Sequence, residues 1–244
     1  MSKSKKVYGQ YELIEEIESD GAFGRILRTN KQGSKKQFII KRLPYQKPNQ
    51  KRQADAEVAM LKQFQSPFIV RFIESFEFDL DLLIVLEYCS SGNIHDKIQE
   101  MKNLSQIQKL DDAQSLLYSI LSALDVLHSQ KIIHRDVKPS NIFIDKNGVA
   151  KMGDYGLASN VEGKSYIEAA GTKNYSASEA HENQMMTSES DVWAAGVVVI
   201  EYITGIHPFE GATQNETIAN IKSGKSKPLP SYIQGDFKDI LLSM

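Results

Sequence analysis

The sequence predicts an α+β fold built in two parts, a small β-rich segment carrying one helix and a larger, mainly helical segment behind it. Three observations carry this prediction. Strand-like runs punctuated by Gly, Pro, Asn and Asp fill the first third of the chain, and the apolar periodicity turns helical beyond Ser90. Neither an internal repeat nor a Pro/Gly/Ser-rich linker breaks the 244 residues. The strands fall at Tyr11 to Ile17, Arg25 to Thr29, Gln37 to Arg42, Val70 to Phe78 and Leu82 to Glu87. A helix over Gln50 to Phe64 interrupts them, because Ala54, Val58 and Leu61 recur at spacings of four and three along one face.

In the second part the clearest helix runs from Asp112 to Ser129, where Leu117, Ile120, Leu121, Leu124 and Leu127 make a wide apolar stripe. Further helices are predicted over Asp191 to Thr204, Gln214 to Ser223 and from Asp236 to the end. Such an arrangement leaves a cleft between its two layers as the place to look for chemistry.

Composition narrows the function. The 29 basic and 31 acidic side chains leave a net charge of −2, too little to draw a polyanion over a broad surface, so no nucleic-acid partner is expected. The longest apolar run, around Val192 to Ile200, is well short of the ~20 residues of a membrane span. One cysteine, Cys89, excludes an intrachain disulfide and points to a reducing, cytoplasmic setting.

Chemistry concentrates in two motifs. His134-Arg135-Asp136-Val137-Lys138-Pro139-Ser140-Asn141 fits H-R-D-x-x-x-x-N, and Asp154-Tyr155-Gly156 follows where D-F-G is the usual form. Phosphoryl transfer needs a carboxylate to orient the attacking hydroxyl and cations to neutralise the moving phosphate, and this ordered set supplies the carboxylate and oxygen ligands for a metal.

On these residues the chain resembles the eukaryotic protein kinases over nearly its whole length. The resemblance implies a bilobal kinase-like fold, with an N-lobe over about 8–88, a hinge over about 87–91 and a C-lobe over about 92–244. It also implies ATP and Mg²⁺ as cofactors and protein substrates with Ser or Thr hydroxyls. Asp136 then becomes the catalytic base, with Lys138 and Asn141 completing the catalytic set and Asn141 and Asp154 holding the metal. Lys41, at the end of Phe38-Ile39-Ile40-Lys41, matches the phosphate-binding lysine, and Glu57, sixteen residues on in the predicted helix, matches its ion-pair partner. Around the nucleotide the resemblance places Ile17, Gly21, Gly24, Ile26, Ile39, Leu86, Glu87, Cys89 and Phe143. An apolar column is implied at Leu61, Phe72, His134 and Tyr155, where Tyr155 adds a hydroxyl that requires a partner.

Departures from the family pattern are informative. The first glycine of G-x-G-x-x-G is missing before Gly21-Ala22-Phe23-Gly24, or one residue is inserted, and Ser19 and Asp20 bring bulk and negative charge, which predicts weaker nucleotide binding. The segment from Asp154 to Glu179 ends Gly171-Thr172-Lys173-Asn174-Tyr175-Ser176-Ala177-Ser178-Glu179, with Lys173 and Ser178 where the family has proline, predicting a looser loop. Lys138 with Thr172 matches the serine/threonine-specific branch. Pro67 to Phe76, Tyr88-Cys89, Asn141-Ile142-Phe143 and Gly153 resemble the NIMA-related kinases, a likeness that implies a cytoskeletal or ciliary association.

In that group a threonine stands where this chain has Glu168, which leaves two readings, a solvated loop glutamate or a carboxylate that partly engages Arg135 in place of a phosphate. Asp191 in Asp191-Val192-Trp193 is expected to cap the main chain at His134 and Arg135. Arg135 is the last arginine, so the family's partner for Glu179 is missing and Glu179 is expected to stand unpaired in a C-lobe incomplete at its C-terminus. Two functions follow from the resemblance, a protein serine/threonine kinase or a weak or inactive pseudokinase that binds nucleotide or serves as a scaffold.

Overall fold

The computed structural model describes residues 6–17, 25–100, 104–161 and 163–244, and the chain divides into two compact units, Met1–Ser90 and Ser91–Met244. The first unit is an antiparallel sheet of β1 (Val7–Tyr8), β2 (Tyr11–Ile17), β3 (Arg25–Lys31), β4 (Gln37–Pro44), β5 (Phe72–Phe78) and β6 (Asp81–Glu87). Their order in the sheet is β1-β2-β3-β4-β6-β5. Helix α1 (Pro48–Gln63) lies between β4 and β5 in the chain, begins with Pro48 and buries Ala54, Val58 and Leu61. Period-two alternation sorts the strands into two faces. Tyr8, Tyr11, Leu27, Phe38, Ile40, Leu83 and Val85 form the core on one face. Register puts the intervening Ile26, Ile39 and Lys41 on the other.

The strand predicted from Val70 starts at Phe72 instead. Glu87 takes over at that point: its N–H donates to the Arg71 carbonyl at 3.0 Å, and its side chain accepts from the Arg71 N–H at 2.8 Å. The register shift between Phe72 and Glu74 marks where the regular ladder gives way.

In the second unit α2 (Ile94–Glu100) precedes α3 (Gln106–His128), which packs against α5 (Ser188–Thr204). Between them the chain makes β7 (Ile132–Ile133), β8 (Ile142–Ile144), β9 (Ala150–Met152), β10 (Ser159–Asn160), β11 (Ile167–Glu168), α4 (Ser178–Glu182) and β12 (Met185–Met186). Helices α6 (Gln214–Ser223) and α7 (Gly235–Ser243) follow α5. Three short antiparallel pairs, β8 with β9, β7 with β10 and β11 with β12, fold the loops onto the helices.

Helix α3 starts six residues before the predicted Asp112 because Ser105 caps it: the Gln108 N–H donates to the Ser105 hydroxyl, and Gln108 Oε1 accepts from the Ser105 N–H. Helix α2 escaped prediction, since only Ile94 and Ile98 mark its buried face. Among the described residues no helix is long and apolar enough to cross a membrane.

Candidate active site

In the first unit, β4 and α1 bring together the two charges singled out by their spacing. Lys41 Nζ lies 2.9 Å from Glu57 Oε1, with the side chains only 6% and 11% exposed. A pair so removed from water needs its charges compensated, and here each contributes to satisfying the other. On the same face of the sheet Ile17 stands opposite Ile26, Ile26 opposite Lys41, and Ile39 opposite Leu86. This apolar strip adjoins the ammonium. At the end of β6, Tyr88 is held by Arg28, whose Nη1 donates to the tyrosine hydroxyl at 3.1 Å and whose guanidinium lies over the ring. Cys89 beside it is buried. Gly21 and Gly24 lie outside the described residues.

The second unit is organised around Asp136, which is buried. Its Oδ1 accepts from the Thr172 N–H at 2.9 Å and from the Thr172 hydroxyl at 2.7 Å. Its Oδ2 accepts from Asn141 Nδ2 at 3.0 Å and lies 2.8 Å from Lys138 Nζ, which also donates to the Thr172 hydroxyl at 2.9 Å. Burial by itself pushes this carboxyl up. Hydrogen bonds from Lys138 and Thr172, the Lys138 charge and the bond from Asn141 outweigh it, holding Asp136 below the ordinary carboxylate range. The sequence marked Thr172 as a sign of the serine/threonine branch, but not as a ligand of Asp136.

The turn carrying Asp136 is held from two sides. Asp191, at the start of α5, accepts the His134 N–H at 2.7 Å and the Arg135 N–H at 2.9 Å, which is the capping role predicted for it, and also contacts His128 Nε2 at 2.9 Å. His134 Nδ1 accepts the Asp136 N–H at 3.3 Å, so the neutral ring's proton sits on Nε2, which donates to the Gly153 carbonyl at 3.1 Å. Tyr155 meets the His134 ring edge-on at 5.2 Å, and its hydroxyl finds the partner it requires in the Met152 carbonyl at 2.9 Å. Arg135 and Asp154 have φ of 68° and 59°, the left-handed region that non-glycine residues rarely occupy. Both stand in the two motifs singled out above.

Register places Asn141 and Asp154 at one end of the β8–β9 pair. Ile142 is opposite Met152, and the Gly153 N–H donates to the Asn141 carbonyl at 2.9 Å. Asn141 Nδ2 is committed to the Asp136 carbonyl and carboxylate, which turns its amide oxygen into the acceptor that remains. Among the described residues no group of three or more His, Cys, Asp or Glu forms a protein cage for a metal. Two hard oxygen side chains, Asn141 and Asp154, suit Mg²⁺, which takes the rest of its shell from phosphate and water. Phe143 is half-buried in β8, paired across a single bridge with Asn93.

One expectation is corrected. Glu179 is not left unpaired: Ser190 donates to its Oε1 at 2.5 Å. Arg135 reaches Glu168, with Nη1 donating to the Glu168 carbonyl at 3.0 Å and Nε to the Leu157 carbonyl at 2.6 Å, and the charge of the Glu168 side chain favours the guanidinium against the cost of its burial. The Glu168 carbonyl is held there because β11 pairs with β12, Ile167 opposite Met186, over a small apolar cluster with Ile133 and Ala180.

The stretch after Gly171 is tightly built. Gly171 has φ of 94°, and a Cβ there would lie 2.1 Å from the Arg135 carbonyl oxygen. A 3-10 turn over Lys173–Tyr175 follows, tied by the Tyr175 hydroxyl to Glu201 Oε2 at 2.6 Å and by His207 Nε2 to the Asn174 carbonyl at 3.0 Å. Burial pushes Tyr175 and Glu201 up and His207 down.

A two-unit α+β chain with an ion-paired sheet lysine and an H-R-D-x-x-x-x-N turn around a buried aspartate has the makings of a phosphotransferase. The protein kinase domain model matches residues 11–244, and the chain belongs to that family. Its relatives are named serine/threonine-protein kinases, several of them of the NIMA-related Nek group. It is 31% identical over 238 residues to serine/threonine-protein kinase Nek1 of Mus musculus, covering 95% of this chain and 19% of that protein. It is 32% identical over 225 residues to Nek5 of Homo sapiens, covering 90% and 31%. It is 31% identical over 237 residues to serine/threonine-protein kinase polo of Drosophila melanogaster, covering 96% and 38%. The chain thus spans well under half the length of these relatives.

Proposed function

We propose that this chain is a catalytic domain that transfers the γ-phosphate of ATP, with Mg²⁺, to Ser or Thr hydroxyls of protein substrates. The observation that carries the reading is the Asp136 carboxylate, buried and aimed by Thr172, Lys138 and Asn141. A carboxylate held ionised in this way orients a substrate hydroxyl and accepts its proton as the new bond forms. Lys138 supplies a positive charge beside the acceptor, as phosphoryl transfer requires. Mg²⁺ held by Asn141 and Asp154 would neutralise charge on the phosphates. Lys41, aligned by Glu57, would bind the α- and β-phosphates, while Ile17, Ile26, Ile39, Leu86, Phe143 and the main chain of Glu87 and Cys89 would receive the base. A reducing intracellular setting is proposed from the single cysteine, Cys89.

The test is transfer of labelled phosphate from ATP to a generic protein substrate by wild type and Asp136→Asn. The substitution is expected to lower the rate by about 10²–10⁴. Equal signals from the two proteins would remove Asp136 from catalysis. Binding of ATP without transfer by wild type would identify a pseudokinase instead.

A further inference from the structure

We infer that Lys173 selects substrates carrying an acidic side chain, Asp or Glu, immediately beside the phosphoacceptor residue. The inference deepens the kinase reading above and rests on it. Its basis is the contrast between a fixed main chain and an uncommitted charge. Thr172 is attached to Asp136 Oδ1 through both its N–H and its hydroxyl, so any hydroxyl presented to Asp136 comes to rest beside Thr172. Lys173 follows Thr172 directly, its Cα ~3.8 Å further on across one trans peptide, the same step that separates a phosphoacceptor from its neighbour in a peptide substrate.

The backbone at Lys173 cannot drift. The Tyr175 N–H donates to the Thr172 carbonyl at 2.9 Å, His181 Nε2 meets the Lys173 carbonyl at 3.0 Å, and Tyr175 is anchored on Glu201. The Lys173 side chain, by contrast, is exposed and forms no ion pair among the described residues. Two carboxylates of this part of the unit have other donors: Glu179 accepts from Ser190 and Glu201 from Tyr175. Lys138, whose ammonium donates to the Thr172 hydroxyl, is engaged with Asp136. A single unclaimed cation on a rigid turn, one residue from the acceptor site, is a recognition element for a carboxylate. Lysine suits the task because its long stem sweeps the space of a flanking residue with the charge at its tip.

The experiment compares kcat/KM for a set of serine peptides with Asp, Ala or Lys at each residue flanking the serine, using wild type, Lys173→Arg and Lys173→Glu. At one flanking place wild type is expected to favour Asp over Lys by about 3- to 20-fold, the range for exposed attraction replaced by exposed repulsion. Lys173→Arg should keep that order, and added salt should flatten it. Lys173→Glu should reverse it, which a purely structural role for the residue would not do. An unchanged order in Lys173→Glu, or no preference for Asp in wild type, would overturn the inference while leaving the kinase reading intact. Failure of wild type to phosphorylate any peptide would defeat both.

Discussion

Thr172 grips Asp136 twice, its N–H at 2.9 Å and its hydroxyl at 2.7 Å from the same carboxylate oxygen. The second of these bonds is shared, because the Lys138 ammonium donates to that hydroxyl while ion-pairing with the other oxygen of Asp136. Carboxylate, cation and hydroxyl therefore form a closed ring in which each member sets the direction of the next.

Opening that ring has a defined consequence. Thr172→Val keeps the shape of the side chain but leaves Asp136 Oδ1 with one donor fewer and Lys138 Nζ with one acceptor fewer, its ion pair with Oδ2 remaining. Loss of hydrogen bonds to a charged group is expected to cost about 1.5–3 kcal/mol, seen as a lower melting temperature. Phosphotransfer should fall as well. Thr172→Ser, which restores the hydroxyl, should recover most of both; a valine variant as active and as stable as wild type would show that the hydroxyl bond contributes nothing.

Gly171 stands just before the ring, and its substitution tests the turn rather than the charges. The alanine Cβ would meet the Arg135 carbonyl oxygen at 2.1 Å, and the φ of 94° disfavours any side chain. Gly171→Ala is expected to push the segment away from Asp136, lowering the melting temperature and reducing phosphotransfer at least tenfold. Hydrogen exchange should show new opening at Thr172. Retention of wild-type protection there would contradict the close approach.

Removing Lys41 isolates a carboxylate in a place nearly closed to water. Breaking a buried pair from one side costs roughly 3–5 kcal/mol, and the 11% exposure left to Glu57 lets water recover part of it, so Lys41→Met should destabilise the first unit by less than that range. The double substitution Lys41→Met with Glu57→Leu should regain stability over the single one, while ATP binding stays lost in both. Melting curves and nucleotide titration read the two effects separately.

His207 predicts how stability responds to pH. Burial holds its imidazole below the usual value of 6.5, and the ring is used as a neutral group, with Nε2 donating to the Asn174 carbonyl and Nδ1 accepting the Phe209 N–H. The unfolded chain therefore binds the proton more readily than the folded one. The stability this group contributes is present above pH 6.5 and is lost as pH falls through the lower folded value. Melting temperature should drop between neutral pH and about pH 5. In His207→Gln that part of the slope should be absent.

Much of the molecule was legible before folding was considered. The strand Tyr11–Ile17 and the helix Gln214–Ser223 fall where alternation and helical periodicity put them, since each is long enough to show its period. Strands such as β7, β10, β11 and β12 are two residues long and carry no period, so their pairing was invisible. The bond from Ser190 to Glu179 was equally hidden, because a hydroxyl eleven residues away in the chain has no sequence signature as a partner.

What the sequence determined by itself is the chemistry: which carboxylates, amides and ammonium groups the chain possesses, and the ordered spacing that puts Asp136, Asn141 and Asp154 in the family pattern. What the tertiary structure decided is which of these groups meet. Thr172 lies thirty-six residues from Asp136, and Asp191 fifty-six from Arg135. Contacts at such separations depend on how helices and short strand pairs pack, and local preferences along the chain do not encode them.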